Sequence, residues 1–341
     1  MTSYDKKINN IFYNWLLFSF FLVFIMVVVG GLTRLTNSGL SITEWELFSG
    51  ILPPLNKQNW ENYFQLYKET PQYKILYNSM TLSEFKIIFY WEYVHRILCR
   101  IIGLFFLIPL IFFLISKKIK KNHLSNCIFI MFLILIQGLV GWYMVKSGLV
   151  NNVSVSHYRL SLHLIIAFII ISMIFWIIIN VKFNTSKFFL NNSIKSYPYY
   201  FLIFLIFLQI IIGAFVSGLD AGKIFQTWPM MNQSYFPNDT IINTFVDLTN
   251  FNNHGLVQFY HRNIAYFITF YILVFGLYIY FNNPTVVFKS YLKVLFFLTL
   301  QIIVGISTLV SGLNIYLASI HQILSLILVL TVINLYYQSI K

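Results

Sequence analysis

Long uncharged runs dominate this chain of 341 residues. Five runs have the length of a membrane-spanning helix, namely residues 11–32, 124–145, 160–181, 196–219 and 263–281. One more helix, the second along the chain, is predicted to begin near Tyr90 and to continue through residues 101–116. Residues 294–340 carry no charge and would form a single helix of about 70 Å, more than twice a bilayer core of about 30 Å. Two helices separated at residues 311–314 are therefore expected, which brings the total to eight.

The composition excludes a water-soluble globule, because 58% of the residues are hydrophobic and only 10% are charged. The net charge of +13 does not indicate a nucleic-acid partner, since the lysines lie in short clusters between the apolar runs. The clusters at residues 6–7, 117–121, 182–195 and 289–293 fall on one side of the predicted helices. By the positive-inside rule this side is cytoplasmic, so both termini are predicted to be cytoplasmic.

Two long loops are predicted on the extracytoplasmic side, at residues 33–89 and 220–253. The first is expected to contain short surface helices, because Asn56 precedes an aromatic-rich stretch that ends at Thr70. Thr81 and Glu84 have the spacing of a helix capping box. We therefore expect both loops to form ordered caps.

An internal repeat divides the chain into two halves. The pattern Gln-x3-Gly-x6-Gly-Leu begins at Gln137 and again at Gln301, and residues 91–96 (WEYVHR) are echoed by residues 257–262 (VQFYHR). The predicted fold is an all-α integral membrane protein made of two pseudo-symmetric, parallel four-helix bundles. The N-terminal half is assigned to residues 1–185 and the C-terminal half to residues 186–341.

Four histidines lie within the predicted spans: His95, His163, His261 and His321. Ionisable residues in a membrane span are costly and usually functional. All four fall on even-numbered helices within about the first two turns, which predicts one common depth near the outer face. Two imidazoles that face each other across a bundle can bind a heme iron from both sides. The alternatives are hydrogen bonds between helices, or a path for protons or substrate.

The remaining histidines are assigned no ligand role. His157 and His254 lie at the outer ends of the predicted fourth and sixth helices. His123 lies in the lysine-rich inner loop, where we expect it to be solvated.

Charged residues beside the paired histidines extend the predicted sites. Arg96 and Arg262 directly follow the repeated histidines, and an Arg fork can bind a heme propionate bidentately. Glu92 lies three residues before His95 on the same helix face, whereas the second half has Gln258 in that place. This asymmetry predicts a reactive site in the N-terminal half and a cofactor or electron-relay site in the C-terminal half. The alternative is a Glu92 that merely pairs with Arg96.

Several motifs together resemble the heme A synthase family, in the branch shared by alphaproteobacteria and mitochondria. They cover nearly the whole chain and include residues 31–36 (GLTRLT), 53–55 (PPL), 92–96 (EYVHR), 156–160 (SHYRL), 213–222 (GAFVSGLDAG) and 227–229 (TWP). The resemblance implies eight transmembrane helices in the bacterial inner membrane, with the heme sites toward the periplasm. It also implies an oxidoreductase that converts the C8 methyl group of heme O into the formyl group of heme A by successive hydroxylations.

The resemblance also implies roles for individual residues. His261 and His321 would be the axial ligands of the iron of a resident heme b, and His95 and His163 would bracket the heme O substrate. Glu92 would lie beside the methyl group under attack. The implied partners are heme O, a heme O synthase (a prenyltransferase), an electron acceptor of unknown identity and membrane lipid.

The chain departs from the family pattern at two places. Gram-positive relatives carry a cysteine pair in an outer loop, but the two cysteines of this chain, Cys99 and Cys127, lie in or beside apolar runs. A thiol-dependent step is therefore not expected. Phe225 and Gln226 stand where the family pattern has Tyr-Asn.

A b-type diheme electron carrier linked to quinol is the main alternative function. It would also need two pairs of histidines, but it would need neither Glu92 at one site alone nor two long caps. A heme exporter is disfavoured because the tryptophans are scattered along the chain instead of clustering in one outer loop. An ion channel would bind no heme.

Overall fold

The computed structural model of the protein describes residues 3–44, 52–151, 153–191, 193–282 and 284–340. These residues form an all-helical fold without a sheet. Eight of its α-helices are long and apolar enough to cross a membrane, which confirms the predicted number. The α-helices are α1 (Ser3–Leu35), α2 (Lys57–Lys68), α3 (Pro71–Leu76), α4 (Leu82–Ser116), α5 (Lys121–Asn151), α6 (His157–Lys182), α7 (Tyr197–Gly218), α8 (His254–Asn282), α9 (Thr285–Val310) and α10 (Ile315–Ser339).

The chain divides into two compact units, Met1–Ser186 and Lys187–Lys341. In the first unit, α1 and α5 each pack against both α4 and α6. In the second unit, α7 and α9 each pack against both α8 and α10. Each unit therefore holds four spanning helices in cyclic contact, so that the second and fourth helices lie across from each other.

Aromatic side chains pack the first unit at the end where α1 begins. Phe12 meets Phe113 edge-on at a ring distance of 5.0 Å, and the indole N–H of Trp15 donates to the carbonyl oxygen of Phe105 (3.1 Å). The expectation that His123 is solvated is wrong. Its side chain is buried in the first turn of α5, where the ring stacks on Phe12 at 6.5 Å, because the helix begins at Lys121 and turns this residue inward.

A glycine allows two helices of the second unit to approach closely. A Cβ atom on Gly276 of α8 would lie 2.0 Å from the hydroxyl oxygen of Tyr291 on α9. Real atoms do not approach to that distance, so only a residue without a side chain permits this contact.

The helices α2 and α3 form a cap over the start of α4. The predicted N-terminal capping residues of two helices are confirmed. The side chain of Asn56 accepts from the backbone N–H of Asn59 at the start of α2, and Thr81 and Glu84 form a complete capping box at the start of α4. Behind them a buried cluster joins the loop, α2 and α4 through Ile42, Trp60, Phe64, Tyr67, Phe85 and Phe89. This cluster holds the loop that follows α1 against the outer turns of α4.

A buried tyrosine links the cap to the end of α1. Burial raises the pKa of the Tyr67 hydroxyl, which stays protonated and donates to the side-chain oxygen of Gln72 (3.0 Å). The amide nitrogen of Gln72 donates in turn to the carbonyl oxygen of Asn37 (3.2 Å). The first residues after α1 are thereby fixed by the cap.

One helix begins earlier than predicted, and another begins where it was predicted. Helix α4 begins at Leu82 and not near Tyr90, whereas α8 begins at His254, the residue predicted to lie at the outer end of the sixth spanning helix. Hydropathy detects only the apolar part of a helix, whereas the capping box and buried Phe85 extend α4 through polar turns. His95 therefore lies more than three turns into its helix, beyond the two turns expected, at about 3.6 residues per turn. The predicted break at residues 311–314 is confirmed, because α9 ends at Val310 and α10 begins at Ile315.

Candidate functional site

Each unit brings two histidine rings close together. In the first unit His95 of α4 and His163 of α6 have ring centres 6.5 Å apart, with 45° between their planes. In the second unit His261 of α8 and His321 of α10 have the same ring distance, with 74° between their planes. The helices that carry each pair lie across from each other in their unit, so the two rings point into its interior.

The ring distance fits a metal ion bound between two imidazoles. With metal–nitrogen bonds of about 2 Å and about 1 Å from nitrogen to ring centre, opposed ligands place the ring centres about 6 Å apart. In the described parts of the chain no three His, Cys, Asp or Glu side chains gather as a metal site. The pairs therefore suit a metal whose other ligands come from a macrocycle, as in a heme with two axial histidines.

Glycines on the neighbouring helices make room for all four rings. A Cβ atom would lie 3.1 Å from Cε1 of His163 if placed on Gly141, and 2.9 Å from Cε1 of His261 if placed on Gly213. The corresponding contacts are 2.7 Å between Gly305 and Cε1 of His321, and 3.3 Å between Gly30 and Nε2 of His95. Each ring is therefore packed directly against the backbone of the preceding spanning helix.

Glutamine side chains reach three of the four histidines. The amide nitrogens of Gln137 and Gln209 donate to the carbonyl oxygens of His163 and His261, at 2.9 Å in both cases. The amide nitrogen of Gln209 also lies 3.1 Å from Nδ1 of His261, and that of Gln301 lies 3.3 Å from Nε2 of His321. The amide nitrogens thus contact the histidines at the backbone or at the ring.

Several polar atoms around the rings are buried without a hydrogen-bond partner in the described structure. They are Oε1 of Gln137, Gln209 and Gln301, and Nδ1 of His163 and His321. A metal-bound histidine usually donates its second ring N–H to an oxygen acceptor. Three buried amide oxygens beside three histidines supply such acceptors, so the residues present fit a heme iron bound at these rings.

Glu92 is buried and holds the loop that follows α1. Its Oε2 accepts from the backbone N–H groups of Ser41 (2.7 Å) and Ile42 (2.9 Å) and from the hydroxyl group of Ser41 (2.7 Å). Its Oε1 lies 2.6 Å from the guanidinium group of Arg96, which also donates to the carbonyl oxygen of Ile42 (2.9 Å). Both carboxylate oxygens are therefore engaged, and the loop is tied to the helix that carries His95.

The second unit repeats this arrangement without the carboxylate. Arg262 donates to the carbonyl oxygen of Phe225 (3.0 Å), and the amide nitrogen of Gln258 donates to the same oxygen (2.9 Å). The Nε atom of Arg262 is buried without a partner in the described structure, and so is Oε1 of Gln258. A buried, unpaired guanidinium N–H can receive an anionic group such as a propionate.

One of the contact residues was missed by the sequence reasoning. Gln137 and Gln301 belong to the detected repeat, but Gln209 with Gly213 was not recognised as a third copy of Gln-x3-Gly. That spacing places both residues on the same face of a helix, one turn apart. This spacing is the sequence signal that identifies Gln209. The same spacing also points to Gly30, where Met26 stands in the position of the glutamine.

Comparisons with known proteins decide the family. The family model described as "Cytochrome oxidase assembly protein" (COX15-CtaA) matches residues 13–333. The chain belongs to this family. A protein from Pelagibacter ubique, named heme A synthase, is 47% identical over 329 residues, which cover 95% of both chains.

Other relatives with the same name match over nearly the same length. The heme A synthase of Flavobacterium psychrophilum is 41% identical over 327 residues, covering 93% of this chain and 94% of the relative. The heme A synthase of Rickettsia felis is 40% identical over 328 residues, covering 95% and 96%. These matches confirm the family resemblance predicted from the motifs.

Proposed function

We propose that this protein is a heme A synthase, which oxidises the C8 methyl group of heme O to the formyl group of heme A. The observation that carries the proposal is the pair of facing histidines inside each unit, with ring centres 6.5 Å apart in both. It is supported by the similarity to curated heme A synthases over 95% of the chain. One heme would be bound in each unit.

The two sites are assigned different duties. His95 and His163 would hold the heme O substrate, and His261 and His321 would hold the iron of a resident heme b. The second unit has Gln258 in the position that Glu92 has in the first unit. This difference supports the division, because it places a carboxylate beside one histidine pair only. Heme b, when bound, supplies a one-electron redox centre.

The reaction removes four electrons from the substrate. With water as the oxygen donor, a methyl group and one water become a formyl group, four protons and four electrons. Two successive hydroxylations followed by loss of water give this result. The electrons pass to an acceptor outside this chain.

Glu92 is the candidate catalytic residue of the N-terminal site. It lies about one turn before His95 on α4 and is the only acidic residue within that helix beyond its first turn. Its hydrogen bonds to Ser41 and Ile42 fix the carboxylate in one position. A fixed carboxylate is suited to accept protons as the methyl group is oxidised.

Arg262 and Arg96 are proposed to face the propionates. For Arg262 the support is its buried Nε, which has no partner in the described residues. Arg96 is engaged with Glu92 and with the carbonyl oxygens of Ile42 and Glu44, so it would offer a propionate fewer free donors. We accordingly expect Arg262 to contribute more to heme retention than Arg96.

The protein is placed in the bacterial inner membrane with its termini in the cytoplasm and its heme sites toward the periplasm. The lysine clusters support this orientation. A heme O synthase that delivers the substrate is a proposed partner, and membrane lipid surrounds the apolar helices.

Heme analysis tests the proposal directly. The protein is expressed in a bacterium that makes heme O but not heme A, and the hemes are extracted and identified by mass spectrometry. We expect heme A or its hydroxymethyl precursor. A coloured, folded protein that yields heme B and unconverted heme O alone would contradict the proposal and favour the diheme electron carrier.

A further inference from the structure

The four histidines differ in how the preceding helix holds them. In three cases a glutamine stands one turn before the glycine that faces the ring, as Gln137 with Gly141, Gln209 with Gly213, and Gln301 with Gly305. Because residues four apart lie on one face of a helix, the amide side chain and the glycine approach the same histidine. The hydrogen-bond contacts at 2.9–3.3 Å described above show that each amide reaches its partner.

The fourth histidine lacks this support. Helix α1 carries Met26 one turn before Gly30, and a methionine has no N–H group to donate. The His95 ring is also turned over relative to the others. Its Nε2 and Cδ2 atoms face Gly30, whereas the nearest atom to Gly141, Gly213 and Gly305 is Cε1. Two independent features thus separate His95 from the other three rings.

We infer that Gln137, Gln209 and Gln301 are positioning residues for their histidines, and that Met26 leaves His95 as the exchangeable ligand of the substrate site. The inference rests on the proposed function, since it assigns heme O to the His95–His163 pair. A resident cofactor has to stay bound, so both of its ligands are held. A substrate has to enter and leave, which requires that one of its two ligands release readily.

The physical basis is the freedom of the histidine to move. Gln137 fixes the carbonyl oxygen of His163, and Gln209 and Gln301 reach the rings of His261 and His321, so each of these histidines is tied to the neighbouring helix before a metal–ligand bond forms. In the described residues no such hydrogen bond reaches His95, and the thioether of Met26 is flexible and only a weak acceptor. His95 can therefore move away from the iron at a smaller cost than the other three ligands.

Heme release measures this difference. The purified, heme-loaded full-length protein is mixed with excess apomyoglobin, and the transfer of each heme is followed by absorbance. In the wild-type protein we expect heme O to leave faster than heme b. Met26→Gln should slow the release of heme O by about tenfold, within the range by which outer partners change metal affinity. Gln137→Met should accelerate release of heme O, and Gln209→Met or Gln301→Met should accelerate release of heme b by about 10- to 100-fold.

A matched control separates positioning from a general effect of polarity. Met173→Gln makes the same chemical change at a partly buried methionine of α6, about three turns from His163, and should leave both release rates unchanged. The low-spin electron paramagnetic resonance signal, which reports the orientation of the axial imidazoles, should sharpen in Met26→Gln and not in Met173→Gln. A merely structural role for residue 26 would not move this signal.

The outcomes distinguish this inference from the proposed function. If the wild-type protein makes heme A but Met26→Gln releases heme O at the wild-type rate, the inference is overturned and the function stands. If Met26→Gln does not fold, an unchanged release rate in Gln137→Met overturns the inference on its own. A wild-type protein that makes no heme A refutes the function, whatever the release rates.

Discussion

At the scale of single residues, Glu92 has a structural role that the contacts show and a reactive role that is predicted. Its buried carboxylate accepts three hydrogen bonds from Ser41 and Ile42 and pairs with Arg96. The sequence leaves two roles open for Glu92, a reactive carboxylate or a partner for Arg96. The structure contains the ion pair with Arg96. The reactive role stays a prediction, because the pair does not exclude a carboxylate that also faces the substrate.

Two substitutions at this position separate the roles. Glu92→Ala removes the ion-pair partner of Arg96 and the acceptor of two backbone N–H groups, so we expect it to lower the free energy of unfolding by about 3–5 kcal/mol. Glu92→Gln keeps the shape and one acceptor oxygen, so it should fold and bind heme but convert less than a tenth of the heme O that the wild-type protein converts.

The measurements are thermal unfolding and heme analysis on the same preparations. Gln258→Ala is the control in the second unit, where only one neutral hydrogen bond is lost, at a cost of about 1 kcal/mol. Conversion by Glu92→Gln in proportion to the amount of folded protein would remove Glu92 from the chemistry and leave it a structural residue.

The choice of residues in the site could be read from the sequence only in part. Histidines in apolar runs are conspicuous, and their repeat predicts which ones pair. Glycines are not conspicuous in a membrane helix, and their role depends on how closely two helices approach. The spacing of Gln209 and Gly213 can be seen in the sequence, but the roles of Gln209 and Gly30 follow only when the helix that packs against each histidine is known.

At the scale of helices, the packing of each ring against a glycine determines how near two helices can lie. Helices α9 and α10 approach so closely at Gly305 that a methyl group there would lie 2.7 Å from Cε1 of His321. The contact between the glycine and the ring therefore determines both the separation of the two helices and the orientation of the histidine.

Gly305→Ala is expected to displace the His321 ring. The low-spin heme b spectrum should fall to the level seen in His321→Ala, while the protein stays folded. Gly138→Ala is the matched control, because a Cβ atom at this helical glycine of α5 meets no atom within 4 Å. The measurement is the absorbance of heme b in each reduced variant, normalised to protein concentration. An unchanged spectrum in Gly305→Ala would mean that His321 does not bind the heme.

Helix number was easier to predict than helix ends. Uncharged runs predict eight spans because the bilayer demands about 20 apolar residues for each. The start of α4 was predicted eight residues too late, since its first turns contain polar and charged residues such as Ser83, Glu84 and Lys86. A capping box such as Thr81 with Glu84 is the better marker of where such a helix begins.

At the scale of the whole molecule, the distribution of lysines predicts the orientation in the membrane. An even number of spans predicts that both termini lie on one side, and the lysine clusters predict that this side is cytoplasmic. A fluorescent protein fused to the C-terminus should therefore be bright, and alkaline phosphatase inserted near Ile241 should be active, because this enzyme folds only outside the cytoplasm. The reverse pattern would place the heme sites at the cytoplasmic face.

The two units also bear on how such a chain could have arisen. Each histidine pair is formed by two helices of one unit, with ring centres 6.5 Å apart in both. Duplication of a gene for one such unit would provide two equivalent histidine pairs, one of which could change without loss of the other. Under the proposed function, Glu92 and Met26 in one half, against Gln258 and Gln209 in the other, are the differences that would separate a catalytic site from a cofactor site.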